Sequence, residues 1–247
     1  MLTNMGSSSP MRIQLLQRAL APFGCDKLQS RYATTITCGL RKPLRTRRQS
    51  DGVLSTEAIQ AVQSLKLAAR NPSKLPQVFN SKLTRLLKDD LLDAFAELQR
   101  QQHLDLALKV FEFIRNEAWY EPDHSLYGDL MLMFGKKKLI DKVEKLFSEL
   151  IEEGLKPDTR AYTELIGAYL KVDMIEKAME TYELMKASGC IPDELTLTIM
   201  IRNLENAGRD DLSAIIKDDC SEYLDSPKKF LKEVARKYPK RLRLNLV

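Results

Sequence analysis

The chain is poor in the residues that staple or metallate small folds. Its four cysteines are Cys25 and Cys38 near the start and Cys190 and Cys220 far downstream. With no Cys-x-x-Cys pair among them, neither a disulfide framework nor a zinc site is indicated. Histidine is scarcer still. The two present, His103 and His124, have no Cys, Ser or acidic partner at a recognisable catalytic spacing. No glycine-rich phosphate loop and no metal motif occurs. Apolar runs are short: no stretch of about 18 apolar residues is found, which argues against a helical membrane span. Nor is there the apolar core of a secretory signal. The expectation is a protein that is not an enzyme, with no cofactor and no membrane partner.

Acid is missing from one region in particular. Residues 1–50 carry nine basic side chains (Arg12, Arg18, Lys27, Arg31, Arg41, Lys42, Arg45, Arg47, Arg48) against Asp26 alone. The segment also holds Ser7-Ser8-Ser9, Thr34-Thr35 and the cluster Arg45-Thr46-Arg47-Arg48. This is the composition of an organellar transit peptide; the competing reading is a disordered basic tail. Residues 227–247 are basic too, with eight cations against Glu233. The formal charge of +5 is therefore the balance of two basic ends and a middle, 51–226, of −10. The isoelectric point alone is no argument for a polyanionic partner; the placement of charge within the middle has to supply one.

What the chain does have is a period. Pro122-Asp123, Pro157-Asp158 and Pro192-Asp193 recur at intervals of 35 residues. Fixed periods of this length mark repeat folds whose units bury their apolar faces only by stacking. Counting each unit from the residue after Pro-Asp, the fourth positions are Tyr127, Tyr162 and Leu197. The seventh are Leu130, Leu165 and Met200, the eighth Met131, Ile166 and Ile201, and the eleventh Phe134, Tyr169 and Leu204. These offsets trace one stripe of an α-helix. A second stripe follows in Ile140, Val143, Phe147 and Leu150, and in Ile175, Ala178, Tyr182 and Met185. Gly154 and Gly189 stop the second helix, and Asp opens the next unit.

An earlier unit is visible with one inserted residue between Ile114 and Pro122, in the loop of Trp119 and Tyr120. The last unit keeps Ala207-Gly208-Arg209, with Leu212, Ile215, Ile216 and Tyr223 in its second helix. Upstream, Ser55 caps a helix over 55–69 whose face is Ala58, Ile59, Val62, Leu65 and Ala69. Asn71-Pro72-Ser73 ends it, and Val78, Leu83, Leu86 and Leu87 form a second apolar stretch. Downstream, Ser226-Pro227 opens a last helix to about Tyr238, with Ser as cap. The expected fold class is all-α: an α-solenoid of stacked helix-turn-helix units with helical caps. Its divisions are 1–50 transit segment, 51–87 cap, 88–226 four repeats (88–123, 124–158, 159–193, 194–226) and 227–247 basic helix and tail.

Gly154-Leu155-Lys156-Pro157-Asp158, Gly189-Cys190-Ile191-Pro192-Asp193 and Ala161-Tyr162-Thr163-Glu164-Leu165-Ile166 resemble the pentatricopeptide repeat. The match covers about 88–210. The whole arrangement is similar to short plant organellar members of the thylakoid-assembly type. That resemblance implies a single-stranded RNA partner in a chloroplast, or alternatively a mitochondrion, and help in group II intron splicing alongside splicing-factor proteins. The rival reading is a repeat scaffold that holds a protein partner.

In the family, the fifth and last residues of a unit select a base. By resemblance the base-binding residues are Thr163 with Asp193, Asp158 (paired with Gly128, which has no side chain to read with) and Thr198; Leu92 makes a poor reader in the first unit. Thr163 with Asp193 matches the guanine-preferring pair. The alternative for Thr163 is an ordinary exposed helix residue, and for Asp193 an ordinary helix cap. The residues themselves point to a second column. At the thirteenth position stand Arg100, Lys136, Lys171 and Asn206, three cations recurring once per unit, as phosphates recur once per nucleotide. A cation there also suits a helix C-terminus. The acids Asp141, Glu144, Glu149, Glu152, Glu153, Glu176, Glu180 and Glu183 crowd the second helices and read as a solvated outer face. Trp119 and Tyr120 read as seam fillers before base-stacking platforms.

Overall fold

The computed structural model describes residues 54–239. The transit segment and the tail residues Lys240, Arg241 and Arg243 lie outside the described residues. Among these there are eleven α-helices and no strand, and no helix is long and apolar enough to cross a membrane. The chain divides at the Trp119–Tyr120 loop into two compact units, 54–119 and 120–239.

The first unit holds α1 (Thr56–Ala69), α2 (Leu75–Ser81), α3 (Lys88–Arg100) and α4 (Leu104–Arg115). Ser55 caps α1 as expected, its hydroxyl accepting from the Ala58 amide at 3.0 Å. The buried face of α1 is Ala58, Ala61, Val62, Leu65 and Ala68. The expected Ile59 and Ala69 are exposed instead, because the stripe runs one position away from them on the helical wheel. Between α3 and α4, Phe95 stacks on Phe111 at 6.0 Å between centroids. Phe79 of α2 meets Phe113 edge-on at 5.7 Å. Lys88 lies over the Trp119 ring at 5.0 Å, which occupies that indole within its own unit.

The second unit holds three consecutive hairpins and a closing helix. They are α5 (His124–Lys136) with α6 (Ile140–Glu152), α7 (Thr159–Lys171) with α8 (Ile175–Ala187), α9 (Glu194–Ala207) with α10 (Asp210–Tyr223), and α11 (Pro227–Lys237). All twelve residues of the fourth, seventh, eighth and eleventh positions are buried. They form the core of this unit, in which α5 packs on α7 and α7 on α9, and Tyr162 of α7 meets Phe147 of α6 edge-on at 5.4 Å between centroids. Each fully buried Leu, Ile, Met or Phe contributes about 1.5–3 kcal/mol. The second stripe is buried at Val143, Phe147, Leu150, Ala178, Tyr182 and Met185, with Ile140 and Ile175 only partly covered at the helix starts. In α10 the core side is Ser213, Ile216 and Cys220; Ile215, expected inside, is exposed. Pro227 opens α11, but Ser226 makes no side-chain cap bond there.

Hairpins are joined by a repeated set of backbone bonds. Asp123, Asp158 and Asp193 are the N-caps of α5, α7 and α9, each satisfying an amide that the helix start leaves open. Gly154 and Gly189 have φ of 83° and 80°. The amides of Gly154 and Leu155 donate to the carbonyls of Ile151 and Leu150, the Schellman arrangement. The turn inside each hairpin ends the same way, but here glycine is used once. Gln102, Lys138, Asp173 and Gly208 stand at equivalent places with φ of 57°, 61°, 59° and 78°. The Lys136-Lys137-Lys138 run thus ends in a left-handed turn residue.

Tyrosine and lysine tie neighbouring hairpins. The Tyr169 hydroxyl and the Lys177 amine both donate to Glu144, at 2.8 and 2.9 Å. One hairpin on, Tyr182 and Lys186 donate to Asp219 at 2.9 and 3.1 Å. Tyr120 donates to Glu153 at 2.9 Å. Glu144 and Glu153 were expected among solvated acids, and the structure places them in packing contacts instead. Burial and the bond to a carboxylate push the Tyr169 and Tyr182 phenols above their ordinary range.

A left-handed residue other than glycine is strained by roughly 1–2 kcal/mol. Lys138→Gly should therefore stabilise the protein by about 1 kcal/mol, once the added freedom of the unfolded chain is offset. Asp173→Gly should gain less, because Asp tolerates this conformation better. Denaturant midpoints of the two variants are the check.

Candidate functional site

The packing of α5, α7 and α9 decides which of their residues face solvent. With the fourth, seventh, eighth and eleventh positions inside, helical geometry leaves the second, sixth, ninth and thirteenth in register on the open side. On α5 these are Ser125, Asp129, Leu132 and Lys136. On α7 they are Arg160, Glu164, Gly167 and Lys171, and on α9 Leu195, Ile199, Arg202 and Asn206. All are exposed or half-exposed. The open stripe carries Lys136, Arg160, Lys171 and Arg202 against Asp129 and Glu164, a cationic surplus on a body whose net charge is −10.

These charges sense one another. Lys171 is exposed, and the partial desolvation of its amine beside its neighbours pushes it below its usual range; Glu164 works the other way, while Lys136 and Arg202 add to the depression. Burial pushes the Glu164 carboxyl up, opposed by Arg160, Lys171 and Lys136 and reinforced by Asp129. Three cations therefore crowd a half-buried carboxylate, two from its own helix α7 and Lys136 from α5. Such a field suits an extended, flexible polyanion with regularly spaced charges.

The residues expected to read bases stand beside this stripe. Thr163 is 3% exposed, neither a free reader nor an ordinary exposed residue. Its hydroxyl lies 2.7 Å from the Thr159 carbonyl and 2.6 Å from the Thr196 hydroxyl. Thr196 in turn donates to Asp193 Oδ1 at 2.7 Å, and that oxygen also takes the Thr196 amide at 2.7 Å. The structure thus brings Thr163 and Asp193 together through a hydroxyl relay rather than side by side. Asp158 Oδ1 takes the Ala161 amide at 2.8 Å. Both aspartates act as caps, as the alternative for Asp193 supposed. Thr198 is half-buried on α9.

The thirteenth-position column is split. Lys136 and Lys171 are exposed at the ends of α5 and α7, with Asn206 in the matching place on α9. Arg100 belongs to the other unit and forms a two-pronged bond to Glu97, through Nε at 2.6 Å and Nη2 at 2.5 Å. Leu92 is half-buried in that unit too. Lys136 and Lys171 share the open stripe of α5 and α7. His124 Nε2 lies 2.8 Å from the Lys156 carbonyl. Among the described residues no group of three or more His, Cys, Asp or Glu side chains is placed to hold a metal ion.

Arg160, Glu164 and Arg202 were not singled out from the sequence. The signal was available: they occupy the second, sixth and ninth places of the stripe complementary to the buried one. The same periodicity that found the core also names its opposite face.

Comparison with known proteins gives a single picture. Residues 157–206 match the model of the PPR repeat family, and residues 125–155 match that of the PPR repeat. A pentatricopeptide repeat-containing protein of Arabidopsis thaliana is 30% identical over 169 residues, 68% of this chain and 85% of that one. Protein THYLAKOID ASSEMBLY 8, chloroplastic, of Arabidopsis thaliana is 33% identical over 193 residues, 74% of this chain and 84% of that one. The crystal structure of THA8 in complex with Zm4 RNA is similar at a TM-score of 0.51 and 31% identity, covering 69% of this chain and 96% of that one.

The depressed amine of Lys171 separates two roles for it. A folded-state value below the unfolded one means that its charge opposes folding, and the penalty is relieved as pH rises through the lowered value. Lys171→Gln should leave thermal stability unchanged or higher at neutral pH. A clear fall in melting temperature would assign Lys171 to stabilising the end of α7.

Proposed function

The chain belongs to the pentatricopeptide repeat family, and from that premise we propose that it is a single-stranded RNA-binding adaptor of a plant organelle, the chloroplast. Its task there is to assist group II intron splicing or another RNA-processing step, without catalysis of its own and alongside splicing-factor proteins. The observation that carries this reading is the open stripe of α5, α7 and α9, where Lys136, Arg160, Lys171 and Arg202 gather on an otherwise acidic body. A groove for a peptide would present mostly apolar residues along this stripe, where Leu132, Leu195 and Ile199 are outnumbered by polar and charged ones. The similarity to THA8, which is crystallised with RNA, points the same way, and several similar proteins are named chloroplastic. The basic, acid-poor residues 1–50 supply the import signal.

Phosphates run along the thirteenth positions, and bases meet the boundary between units. Asp193 presents a carboxylate that only accepts hydrogen bonds. With Oδ1 engaged by Thr196, the other oxygen faces a base edge rich in N–H donors, as in guanine. Thr163 acts behind it, fixing Thr196 and through it the carboxylate. The unit of Gly128 and Asp158 lacks this relay.

Lys136→Ala and Lys171→Ala should each weaken binding to all single strands alike and lower the salt slope by roughly 0.7, the single-strand value per phosphate. Fluorescence anisotropy across a salt series measures this; unchanged slopes would remove both lysines from the interface. Asn caps helices as well as Asp does but adds a donor. Asp193→Asn should therefore keep the melting temperature while losing about 1–2 kcal/mol of preference for guanine over adenine at one position. Competition titrations with RNAs differing at that base are the check. Finally, residues 1–60 fused to a fluorescent reporter should carry it into chloroplasts; cytosolic fluorescence would refute the import assignment.

A further inference from the structure

Gly128 occupies the place where a unit carries its base-selecting side chain, and it is buried within α5. A Cβ built there would stand 2.9 Å from Nε, 3.1 Å from Cζ and 3.2 Å from Cδ of Arg160. The guanidinium end of Arg160, from the next hairpin, therefore lies directly over the glycine and fills the space of the missing side chain. Its position is held from one side: Nη2 donates to Asp129 Oδ1 at 2.5 Å. The group is not sealed in, since the Arg160 side chain is 41% exposed. Across the stripe, Glu164 adds a second attraction.

A surface Arg–Asp pair by itself is ordinary and contributes little. What sets this one apart is the glycine beneath it, because any side chain at residue 128 would displace the guanidinium. A planar group laid at that place, one edge pinned and the rest open, has two properties that a lysine lacks. Its face can stack on a base, and its remaining N–H groups form a fork that matches two adjacent acceptors.

We propose that Arg160, seated on Gly128 and oriented by Asp129, is the base-contacting residue of the unit 124–158, and that it favours guanine through the O6 and N7 acceptors. This rests on the RNA-binding reading above. It gives a base contact to a unit whose fifth residue, Gly128, has no side chain to read with. Together with Asp193 it predicts two neighbouring preferred nucleotides instead of one.

Selection from a random single-stranded RNA pool tests it, using the folded protein and three variants: Arg160→Lys, Arg160→Gln and Gly128→Ala. The wild type should enrich guanine at two adjacent positions. Arg160→Lys should lose the enrichment at one of them, on the order of tenfold, while keeping the salt slope, because the charge remains. Arg160→Gln should lose the same enrichment, with a smaller loss of slope than the roughly 0.7 that marks a phosphate contact. Gly128→Ala, which leaves the charge in place but displaces the guanidinium, should match Arg160→Lys, with helical circular dichroism retained. If Arg160→Lys and Gly128→Ala enrich the same two positions as the wild type, Arg160 is a phosphate contact or a plain surface pair, and the proposal fails. If the wild type enriches one guanine only and no variant changes it, the proposal fails while the RNA-binding reading stands. If the wild type binds no single-stranded RNA, the RNA-binding reading fails and this one with it.

Discussion

Burial of the first-helix stripe between successive hairpins is the constraint on which the rest of 120–239 depends. A lone hairpin of this length cannot bury its apolar stripe by itself; in the stack Tyr127, Met131, Phe134, Tyr162, Ile166 and Tyr169 are all removed from water, with Phe147 of one hairpin against Tyr162 of the next. Once that seam is fixed, the α-helical period fixes the opposite stripe as well. Asp129, Lys136, Arg160, Glu164, Lys171 and Arg202 then share one open surface without any further device. Function in this fold is a by-product of register: whatever stands at the second, sixth, ninth and thirteenth positions is presented once per unit.

The caps carry that register from one unit to the next. Each Asp after Pro holds the first turn of its helix, and each Gly before it closes the last. In the unit beginning at Thr159 the cap does more. Thr163, Thr196 and Asp193 form a hydroxyl relay that links the fifth position of one helix to the cap of the next. The same carboxylate that starts α9 is thereby oriented toward the boundary between units. In the unit before, Gly128 breaks the relay and Arg160 takes the space.

Much of this was legible in the sequence. The twelve core positions, the helix ends at Gly154 and Gly189 and the inserted residue before Pro122 follow from period alone, since burial and backbone conformation repeat with it. Four things were not legible. Lys138 and Asp173 carry no mark of their left-handed turns, because only the last unit places a glycine there. Thr163 reads as a surface residue by its polarity, yet the close approach of Thr196 from α9 buries it, a tertiary contact that no local pattern encodes. Ile59, Ala69 and Ile215 were misplaced by one helical position. Arg100 kept its place in the repeat count but lies in the other compact unit, bonded to Glu97.

The central claim is that a single strand of RNA lies along the open stripe of the first helices. The most direct measurement is ultraviolet crosslinking of the protein to a short RNA that it binds, followed by mass spectrometric mapping of the attached residues. The account predicts adducts on peptides of α5, α7 and α9, around residues 125–136, 160–171 and 195–206. Adducts confined to α6, α8 and α10, or to the basic helix α11, would contradict it.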